Sequence, residues 1–552
     1  MHHFTTEATG TTELVNSTTE EMLKKFVQCL LIFLTLQCVF IAGHTAKEWK
    51  SRIIYQLLTD RFGPTGEAPD TPCSDLREYC GGTFKGIEQR LDYIEKLGAN
   101  AIWISPIVEN TPGGFHGYWA KNIDQINLHF GTEQDLKDLI AACHSRDIWV
   151  MADVVANHMG NQCENSYKCT KEELLNFSGF TPFNDPAHFH SYCDIEDWTN
   201  HTQVELCRLA RLPDLNQTDA YVHSRLLRWI ANLTAVYGFD GYRIDTVLEV
   251  SQAFWKDFQH DAGVYCVGEA NNGDDVEYVA SYQGPLDAVL NFPMYTALRN
   301  VFNYKNPMTL MIESLKEQRL FFEDTTVLGS FLDNHDSDRF LNLTNDKSLL
   351  KNVLTYVLLS EGIPIIYYGT EQGFRGGKDP GNRESLWPHY DTGSDLYQFI
   401  KTVSMFKKST KEVIFSSITQ RERFVDNSTL AFTRGTNQEV LILLTTLGDS
   451  QEKTTVQFFA EGYRVGTKFR GLFGNDTVEL GSCDLSLTLQ HGLPLVYEVI
   501  QQGQSEPCRK YEPTENSKYE PTENSKHEPT ENSAETLKLL LPLAWVCFFN
   551  FV

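Results

Sequence analysis

The pattern of apolar and polar positions divides the chain into regions with different periodicities. From Ile53 onward, short apolar runs alternate with stretches whose apolar residues recur at helical spacing, such as "FKGIEQRLDYIEKLG" and "DLKDLIAACHSRD". The apolar runs are eight in number: "IIYQLL", "AIWISPI", "IWVMADVV", "GYRID", "VYCVGE", "AVLNFP", "VLGSFLD" and "IPIIYYG". Strand followed by helix, repeated over this length, predicts an α/β fold, a (β/α)8 barrel.

Two regions depart from this rhythm. Residues 157–216 are rich in Asn, Pro and His and contain four cysteines, and they are too long for an ordinary loop, so we predict an inserted domain after the third strand. We predict that the barrel spans 47–410. After it, the chain changes to short alternating segments such as "LAFTRG", "EVLILLTT" and "TTVQFF". These predict a C-terminal antiparallel β-sandwich domain over 411–502.

The ends of the chain carry segments typical of export. Two lysines precede an uncharged apolar stretch over 26–42, which predicts a signal peptide region over 1–46. Near the other end, "YEPTENSK", "YEPTENSK" and "HEPTENSA" predict a polar stalk over 503–534. The segment 535–552 is uncharged and mostly apolar from its fifth residue onward and predicts attachment of a glycosylphosphatidylinositol (GPI) lipid anchor. An uncleaved signal anchor and a C-terminal membrane helix are the alternatives, but both stretches are short for a membrane span.

Cysteines and charge limit the compartment and the partners. Eight cysteines lie at spacings that could close loops in an oxidising compartment, although the sequence leaves their pairing open. They are Cys73 and Cys80, Cys163 and Cys169, Cys193 and Cys207, and Cys483 and Cys508. The net charge of −26 argues against a nucleic-acid partner, because phosphate binding requires basic patches. We expect a monomer in the secretory pathway, held at the extracellular face of the plasma membrane or in the cell wall.

Polar residues concentrate where the predicted barrel strands end. The active site of such a barrel forms at the C-terminal ends of its strands, so these residues are the candidates for chemistry. They are Asp153, Asn157 and His158 after the third run, Arg243 and Asp245 after the fourth, Glu269 after the fifth, and Asp333, His335 and Asp336 after the seventh. A single carboxylate could be structural, but carboxylates at four strand ends indicate a catalytic site.

The ordered motifs between Lys47 and Ile500 resemble those of the α-amylase family, the retaining α-glucan glycoside hydrolases, and within it the secreted fungal α-amylases. The motifs are "LLTDRF", "YCGGTF", "FHGYW", "DVVANHMG", "LPDLN", "GYRIDTV", "GVYCVGEA", "FLDNHD" and "GGKDPGNRESLW". The resemblance implies that Asp245 is the nucleophile, Glu269 the general acid/base and Asp336 a stabiliser of the transition state. These roles agree with glycoside chemistry, which needs one protonated carboxyl and one ionised carboxylate. Arg243, two residues before Asp245, would keep the nucleophile ionised.

The resemblance also implies substrate and metal ligands. The substrate-binding residues would be His116, Tyr118, Trp119, His158, Arg243, His335, Asp379 and Arg383. A structural calcium ion (Ca2+) would be bound by the side chains of Asn157, Glu205 and Asp214 and by the backbone carbonyl of Glu249. Oxygen ligands of this kind suit a hard cation.

One departure from the family pattern concerns the leaving-group side of the cleft. Where starch-degrading fungal enzymes carry Lys-His, this chain has Leu248 and Glu249, and the residues Asp333 and Ser337 also differ at what we expect to be the same rim. We predict an endo-acting α-amylase that hydrolyses α-1,4-glucan. The alternative is a surface-tethered 4-α-glucanotransferase that remodels cell-wall α-glucan, and a less favoured one is a catalytically silent glucan-binding wall protein.

Overall fold

The computed structural model describes residues 43–163, 168–474 and 476–509. The predicted signal peptide region lies outside the described residues up to position 42. The predicted stalk lies outside them from position 510 onward, and the predicted GPI-attachment segment lies wholly outside them. Among the described residues, no helix is both long enough and apolar enough to cross a membrane.

The strands of the described residues include one from each of the eight predicted apolar runs. They are β1 (Ile54–Leu57), β2 (Ala101–Ile104), β3 (Val108–Asn110), β4 (Ala120–Ile126), β5 (Trp149–Val154), β6 (Gly241–Ile244), β7 (Tyr265–Gly268), β8 (Ala288–Val289), β9 (Gly329–Ser330), β10 (Ile363–Tyr367), β11 (Arg421–Val425), β12 (Thr429–Arg434), β13 (Val440–Thr445), β14 (Lys453–Phe459), β15 (Lys468–Gly471), β16 (Thr477–Glu479), β17 (Asp484–Gln490) and β18 (Leu495–Gln501).

Eight of these strands form one parallel sheet in the order β8-β7-β6-β5-β2-β1-β10-β9. Its two outer strands meet at an isolated parallel bridge between Leu290 and Gly329, which closes the sheet into a barrel. Each of the eight apolar runs contributes one strand, so the predicted (β/α)8 barrel is confirmed.

The helices lie between the barrel strands, with a few beside them. They are Ala46–Trp49, Thr59–Phe62, Phe84–Glu88, Leu91–Leu97, Glu133–His144, His201–Leu206, Ala220–Tyr237, Gln252–Ala262, Val276–Ala280, Phe292–Phe302, Thr309–Phe321, Phe340–Leu343, Lys347–Leu359, Asp395–Ser409 and Glu412–Phe415.

The helix Ala220–Tyr237 illustrates how sequence sets these elements. Asp219 accepts hydrogen bonds from the first backbone N–H groups of the helix, and Gly238 ends it with a positive φ of 72°. Its buried residues recur at spacings of three and four: Val222, Leu226, Trp229, Ile230 and Leu233. This apolar face packs on the barrel, which is the arrangement that the amphipathic pattern predicts.

The described residues of the segment 157–216, between β5 and the helix Ala220–Tyr237, form short helical turns and the helix His201–Leu206. Disulfides Cys163–Cys169 and Cys193–Cys207 lie in it, while Cys73–Cys80 and Cys483–Cys508 lie elsewhere. Because few regular elements stabilise this segment, covalent links within it restrict its loops.

The C-terminal strands form an antiparallel sheet in the order β11-β12-β13-β18-β15-β16 and a second pair, β14-β17. Successive residues of β12 face opposite sides, so Leu430 and Phe432 belong to the main core while Ala431 packs in the core between the two sheets. The predicted C-terminal antiparallel domain is confirmed, and one of its faces packs against the barrel.

Candidate active site

The candidate residues gather at the C-terminal end of the barrel because the strands that carry them are parallel neighbours. Asp153 lies in β5, and Arg243 lies in the adjacent β6, paired in register with Asp153. Asp245 follows β6 directly, and Glu269 follows β7 directly. Side chains at the same end of neighbouring parallel strands must converge, so these residues form one cluster.

Arg243 is the centre of this cluster. Its guanidinium donates to Asp153 at 2.9 and 3.0 Å and to Asp245 Oδ1 at 2.7 Å, while its other terminal nitrogen lies 2.6 Å from Glu269 Oε2. The side chain is only 1% exposed, so these contacts are shielded from water. One fixed cation therefore orients three carboxyl groups.

The two catalytic candidates differ in the state their surroundings favour. Burial alone would raise the pKa of Asp245, but the charge of Arg243 and the contact with His158 outweigh it and lower this pKa below its ordinary value. Burial raises the pKa of Glu269 well above its ordinary value, and the charges of Asp245 and Asp336 add to the rise although Arg243 opposes it. Asp245 is therefore held ionised and Glu269 protonated, which is the division of roles that acid and nucleophile require.

The contacts of Glu269 also indicate which of its two oxygens carries the proton. Arg243 contacts Oε2 at 2.6 Å, and the backbone N–H of Thr246 donates to the same oxygen at 3.2 Å. The ion pair and the hydrogen bond both fall on Oε2, so a proton on this carboxyl group is favoured on Oε1.

Asp336 belongs to a second group across the site. His335 Nε2 lies 3.1 Å from Asp336 Oδ2, and Arg383 reaches Asp336 Oδ1 at 3.1 Å and Asp379 at 2.9 Å. Gln56 lies 2.9 Å from the other ring nitrogen of His335. The Asp336 side chain is 41% exposed, whereas those of Asp245 and Glu269 are nearly buried, so Asp336 faces the open side of the site.

Aromatic side chains connect the two groups. Tyr118 donates a hydrogen bond to Asp153 at 2.7 Å and stacks on His335, with ring centroids 5.0 Å apart. His116 stacks on Tyr118 and meets Trp119 edge to face. Tyr118 and Trp119 are both half-buried, so this wall offers ring surface beside the carboxyl groups. Stacking against a sugar ring is one use of such a surface.

His158 lies near the second oxygen of Asp245, the one that Arg243 does not contact. Its Nε2 is 3.6 Å from Asp245 Oδ2, and its Nδ1 is 3.1 Å from the carbonyl of Met159. Every residue predicted for catalysis or substrate binding is thus linked to another by a contact, from Trp119 at one side to Asp379 at the other.

The residues predicted to bind calcium lie next to this site. The backbone N–H of Leu215 donates to the carbonyl of Asn157, which joins the segment around Asp214 to the chain that follows β5. Oδ1 of Asn157 is buried and has no hydrogen-bond partner within the described part of the chain. Burial raises the pKa of Asp214 to about 6, although His190 at 2.7 Å opposes the rise. A buried amide oxygen without a donor and a buried carboxylate are groups that a hard cation would satisfy.

The other two predicted ligands are near but less defined. Glu205 lies on the helix His201–Leu206, and Glu249 ends the turn Val247–Glu249, against which that helix packs. Within the described residues, no group of three or more His, Cys, Asp or Glu side chains could hold a metal ion. The predicted set does not require one, since an amide oxygen and a backbone carbonyl complete it.

Two expectations about the rim change with the structure. Leu248 and Glu249 are 6% and 8% exposed, so this turn is buried and does not lie open at the rim. The sequence suggested that Asp333 lies at the rim with Asp336, but the structure places it elsewhere. It is buried beneath the rim because three donors converge on it: the N–H of Phe340 at 3.0 Å, the hydroxyl of Thr370 at 3.2 Å and the guanidinium of Arg299 at 3.4 Å.

Sequence reasoning did not assign a role to three residues that contact this site: Gln56, Trp103 and Thr246. Gln56 interrupts the apolar run "IIYQLL", which was a usable signal. The indole N–H of Trp103 donates to Asp153 at 3.0 Å. In the sequence, however, an aromatic residue within a strand indicates packing in the core. Thr246 follows Asp245 directly and gave no signal beyond that position.

Comparisons with known proteins agree with this geometry. A family model described as "Alpha amylase, catalytic domain" matches residues 56–427. The chain is 36% identical over 485 residues to an α-amylase of Saccharomycopsis fibuligera, covering 85% of this chain and 95% of the relative. It is 36% identical over 501 residues to α-amylase 2 of Schwanniomyces occidentalis, covering 87% and 96%. Among solved structures, an α-amylase from Malbranchea cinnamomea aligns with a TM-score of 0.77 at 36% identity, covering 82% of this chain and 97% of that one.

Proposed function

Because the chain belongs to the α-amylase family, we propose that it is a retaining glycoside hydrolase that cleaves α-1,4-glucan by double displacement. The observation that carries this proposal is the Arg243 cluster, in which one guanidinium contacts both Asp245 and Glu269 while their pKa values move in opposite directions. A glucan-binding protein without activity would have no use for that division of proton states.

In the first step, Glu269 donates its proton to the glycosidic oxygen, and the bond from that oxygen to the anomeric carbon breaks. A carboxylate oxygen of Asp245 forms a bond to the same carbon, giving a covalent glycosyl-enzyme. Oδ1 of Asp245 is held by Arg243 at 2.7 Å, whereas among the described residues the contacts of Oδ2, to Thr246 and His158, are longer. Oδ2 is therefore the oxygen that is freer to attack.

In the second step, Glu269 is ionised and accepts a proton from the incoming hydroxyl group as that oxygen bonds to the anomeric carbon. The bond to Asp245 breaks, and both carboxyl groups return to their starting states. Water as the incoming group gives hydrolysis, and a sugar hydroxyl gives transfer. Asp336, fixed by His335 and Arg383, stabilises the positive charge that develops on the sugar.

The test of this function is a product analysis. The described region without its ends, about Lys47 to Gln502, is incubated with one purified maltooligosaccharide in the presence of calcium, and products are resolved by chain length. We expect only products shorter than the input. Products longer than the input would instead support the 4-α-glucanotransferase alternative. Absence of any product would refute both enzyme functions.

We also propose that Ca2+ is bound by Asn157, Glu205, Asp214 and the Glu249 carbonyl. The orphaned Oδ1 of Asn157 and the buried Asp214 support this proposal. The ion would join the end of β5 to the inserted segment and so hold the wall of the site in place; it takes no part in the bond-breaking steps.

Calcium removal should lower the stability of the protein. A ligand that binds only the folded state stabilises it by about 3 kcal/mol when its free concentration is about 100 times the dissociation constant. We expect the thermal midpoint to fall in a chelator and to return with added calcium, and the Asn157→Ala variant to lose this response. A midpoint that does not depend on calcium would contradict the proposal. Magnesium serves as the control cation, because it prefers a tighter octahedral shell.

For localisation, we infer passage through the secretory pathway and retention at the cell surface by a GPI anchor. Four disulfides support an oxidising compartment. The anchor rests on the sequence of residues 535–552 alone. An anchored enzyme would act on glucan of the wall around it.

A further inference from the structure

We propose that Thr246 is a positioning residue that fixes both catalytic carboxyl groups at once, an inference that rests on the proposed function. Its side-chain hydroxyl donates to Asp245 Oδ2 at 3.2 Å, and its backbone N–H donates to Glu269 Oε2 at 3.2 Å. Thr246 is thus the one residue besides Arg243 that, in the described part of the chain, hydrogen-bonds or pairs with both of them.

The backbone of Thr246 is held in an unusual conformation. Its φ and ψ are 48° and 55°, in the left-handed region that a β-branched residue rarely adopts. Such a conformation is strained and persists only where the surroundings impose it. Glycine would adopt it without this strain, and the threonine side chain adds a hydrogen bond from its hydroxyl to Asp245 that glycine could not make.

The surroundings that impose this conformation are visible. Ile244 accepts a hydrogen bond from the N–H of Glu269 at 2.7 Å, and the N–H of Val247 donates to the carbonyl of Glu269 at 3.1 Å. Thr246 lies between these two bonds, which tie the end of β6 to the end of β7. The left-handed turn lets the chain leave β6 with its N–H directed at Glu269 and its hydroxyl directed at Asp245.

Two consequences for the reaction follow. The N–H of Thr246 adds a hydrogen bond to Glu269 Oε2 beside the ion pair with Arg243, which leaves Oε1 to carry the proton that the leaving group needs. The hydroxyl sets the rotation of the Asp245 carboxylate, whose other oxygen is already fixed by Arg243. The effect of Thr246 should therefore fall on the chemical step rather than on substrate binding.

The experiment compares three substitutions with the wild type on one maltooligosaccharide. Thr246→Val keeps the shape and the N–H but removes the hydroxyl, and we expect kcat to fall about 10- to 100-fold, the range for a lost hydrogen bond to a charged group, with KM changed less than about threefold. Thr246→Ser restores the hydroxyl and should return kcat to within about threefold of the wild type. Thr246→Gly should lose kcat as Thr246→Val does while its thermal midpoint stays at or above that of Thr246→Val, because glycine relieves the left-handed strain.

The outcomes separate this inference from the function on which it rests. An unchanged kcat in Thr246→Val, or a loss that Thr246→Ser does not restore, overturns the positioning role while the activity of the wild type leaves the proposed function standing. A rise in KM that accounts for the whole effect also overturns it, because that result would place Thr246 in substrate binding. A wild-type protein that turns over no α-glucan overturns both.

Discussion

The Asp245→Asn variant is expected to lose at least about 10⁴-fold in kcat on α-glucan while it stays folded, because removal of a catalytic nucleophile has effects of this order or larger. The amide has the shape of the carboxylate but cannot form the glycosyl-enzyme at a useful rate. Arg243 keeps its contacts with Asp153 and Glu269, so the cluster retains its cation and two of its carboxyl groups. The measurement is kcat on a purified maltooligosaccharide, with the circular dichroism spectrum and thermal midpoint as checks on folding.

The matched control is Asp92→Asn. It makes the same chemical change at a carboxylate that is 59% exposed and paired with Arg146 on the outside of the barrel. We expect its kcat to stay within about twofold of the wild type, since exposed ion pairs contribute little. If Asp245→Asn retained activity comparable to this control, Asp245 would not be the nucleophile and the double-displacement mechanism would fail.

Replacing Arg243 by methionine is expected to lower the free energy of unfolding at pH 7 by about 3–5 kcal/mol and to abolish turnover. Methionine is of similar length but leaves Asp153, Asp245 and Glu269 without their shared cation, and breaking a buried ion pair by removing one partner has effects of this size. Denaturant unfolding followed by tryptophan fluorescence measures the loss. The control is Arg146→Met, which removes an exposed arginine that also contacts two carboxylates, Asp92 and Glu95, and should cost less than about 1 kcal/mol.

The pH dependence of this loss has a definite sign. The pKa of Asp245 is below its ordinary value in the folded protein, so its ionised form adds stability above the ordinary pKa of about 4, and this contribution is lost as the pH falls through the folded value. Without Arg243 the carboxyl groups take up protons at higher pH and no longer need the cation. The difference between Arg243→Met and wild type should therefore shrink as the pH falls from 7 toward and below 4. A constant difference would mean that the arginine acts through packing and not through charge.

The barrel itself could be predicted because its signal is local and repeated. Each of the eight apolar runs must be buried, and runs of four to eight apolar residues separated by amphipathic helices have few other ways to bury both faces. The polar residues at the strand ends were equally readable, since Asp153, Arg243 and Glu269 each interrupt or follow an apolar run in which an unpaired charge would be costly.

The arrangement within the site could not be predicted in the same way. Asp333 and Asp336 lie three residues apart in "FLDNHD", yet one is buried under three donors and the other faces the open side of the site. The donors to Asp333 come from Arg299, Phe340 and Thr370, whose positions depend on how distant helices and turns pack. No pattern within the motif distinguishes the two carboxylates.

The sequence by itself thus determined the strands, the amphipathic helices and the carboxylates at the ends of β5, β6 and β7, because each depends on the burial of neighbouring residues along the chain. Only the tertiary structure decided the protonation of Asp245 and Glu269 and the oxygen that each of these two leaves free. Those properties depend on burial and on the distance between charges far apart in sequence, such as Arg243 and Asp153, and on the left-handed turn that directs Thr246 at Asp245 and Glu269 together.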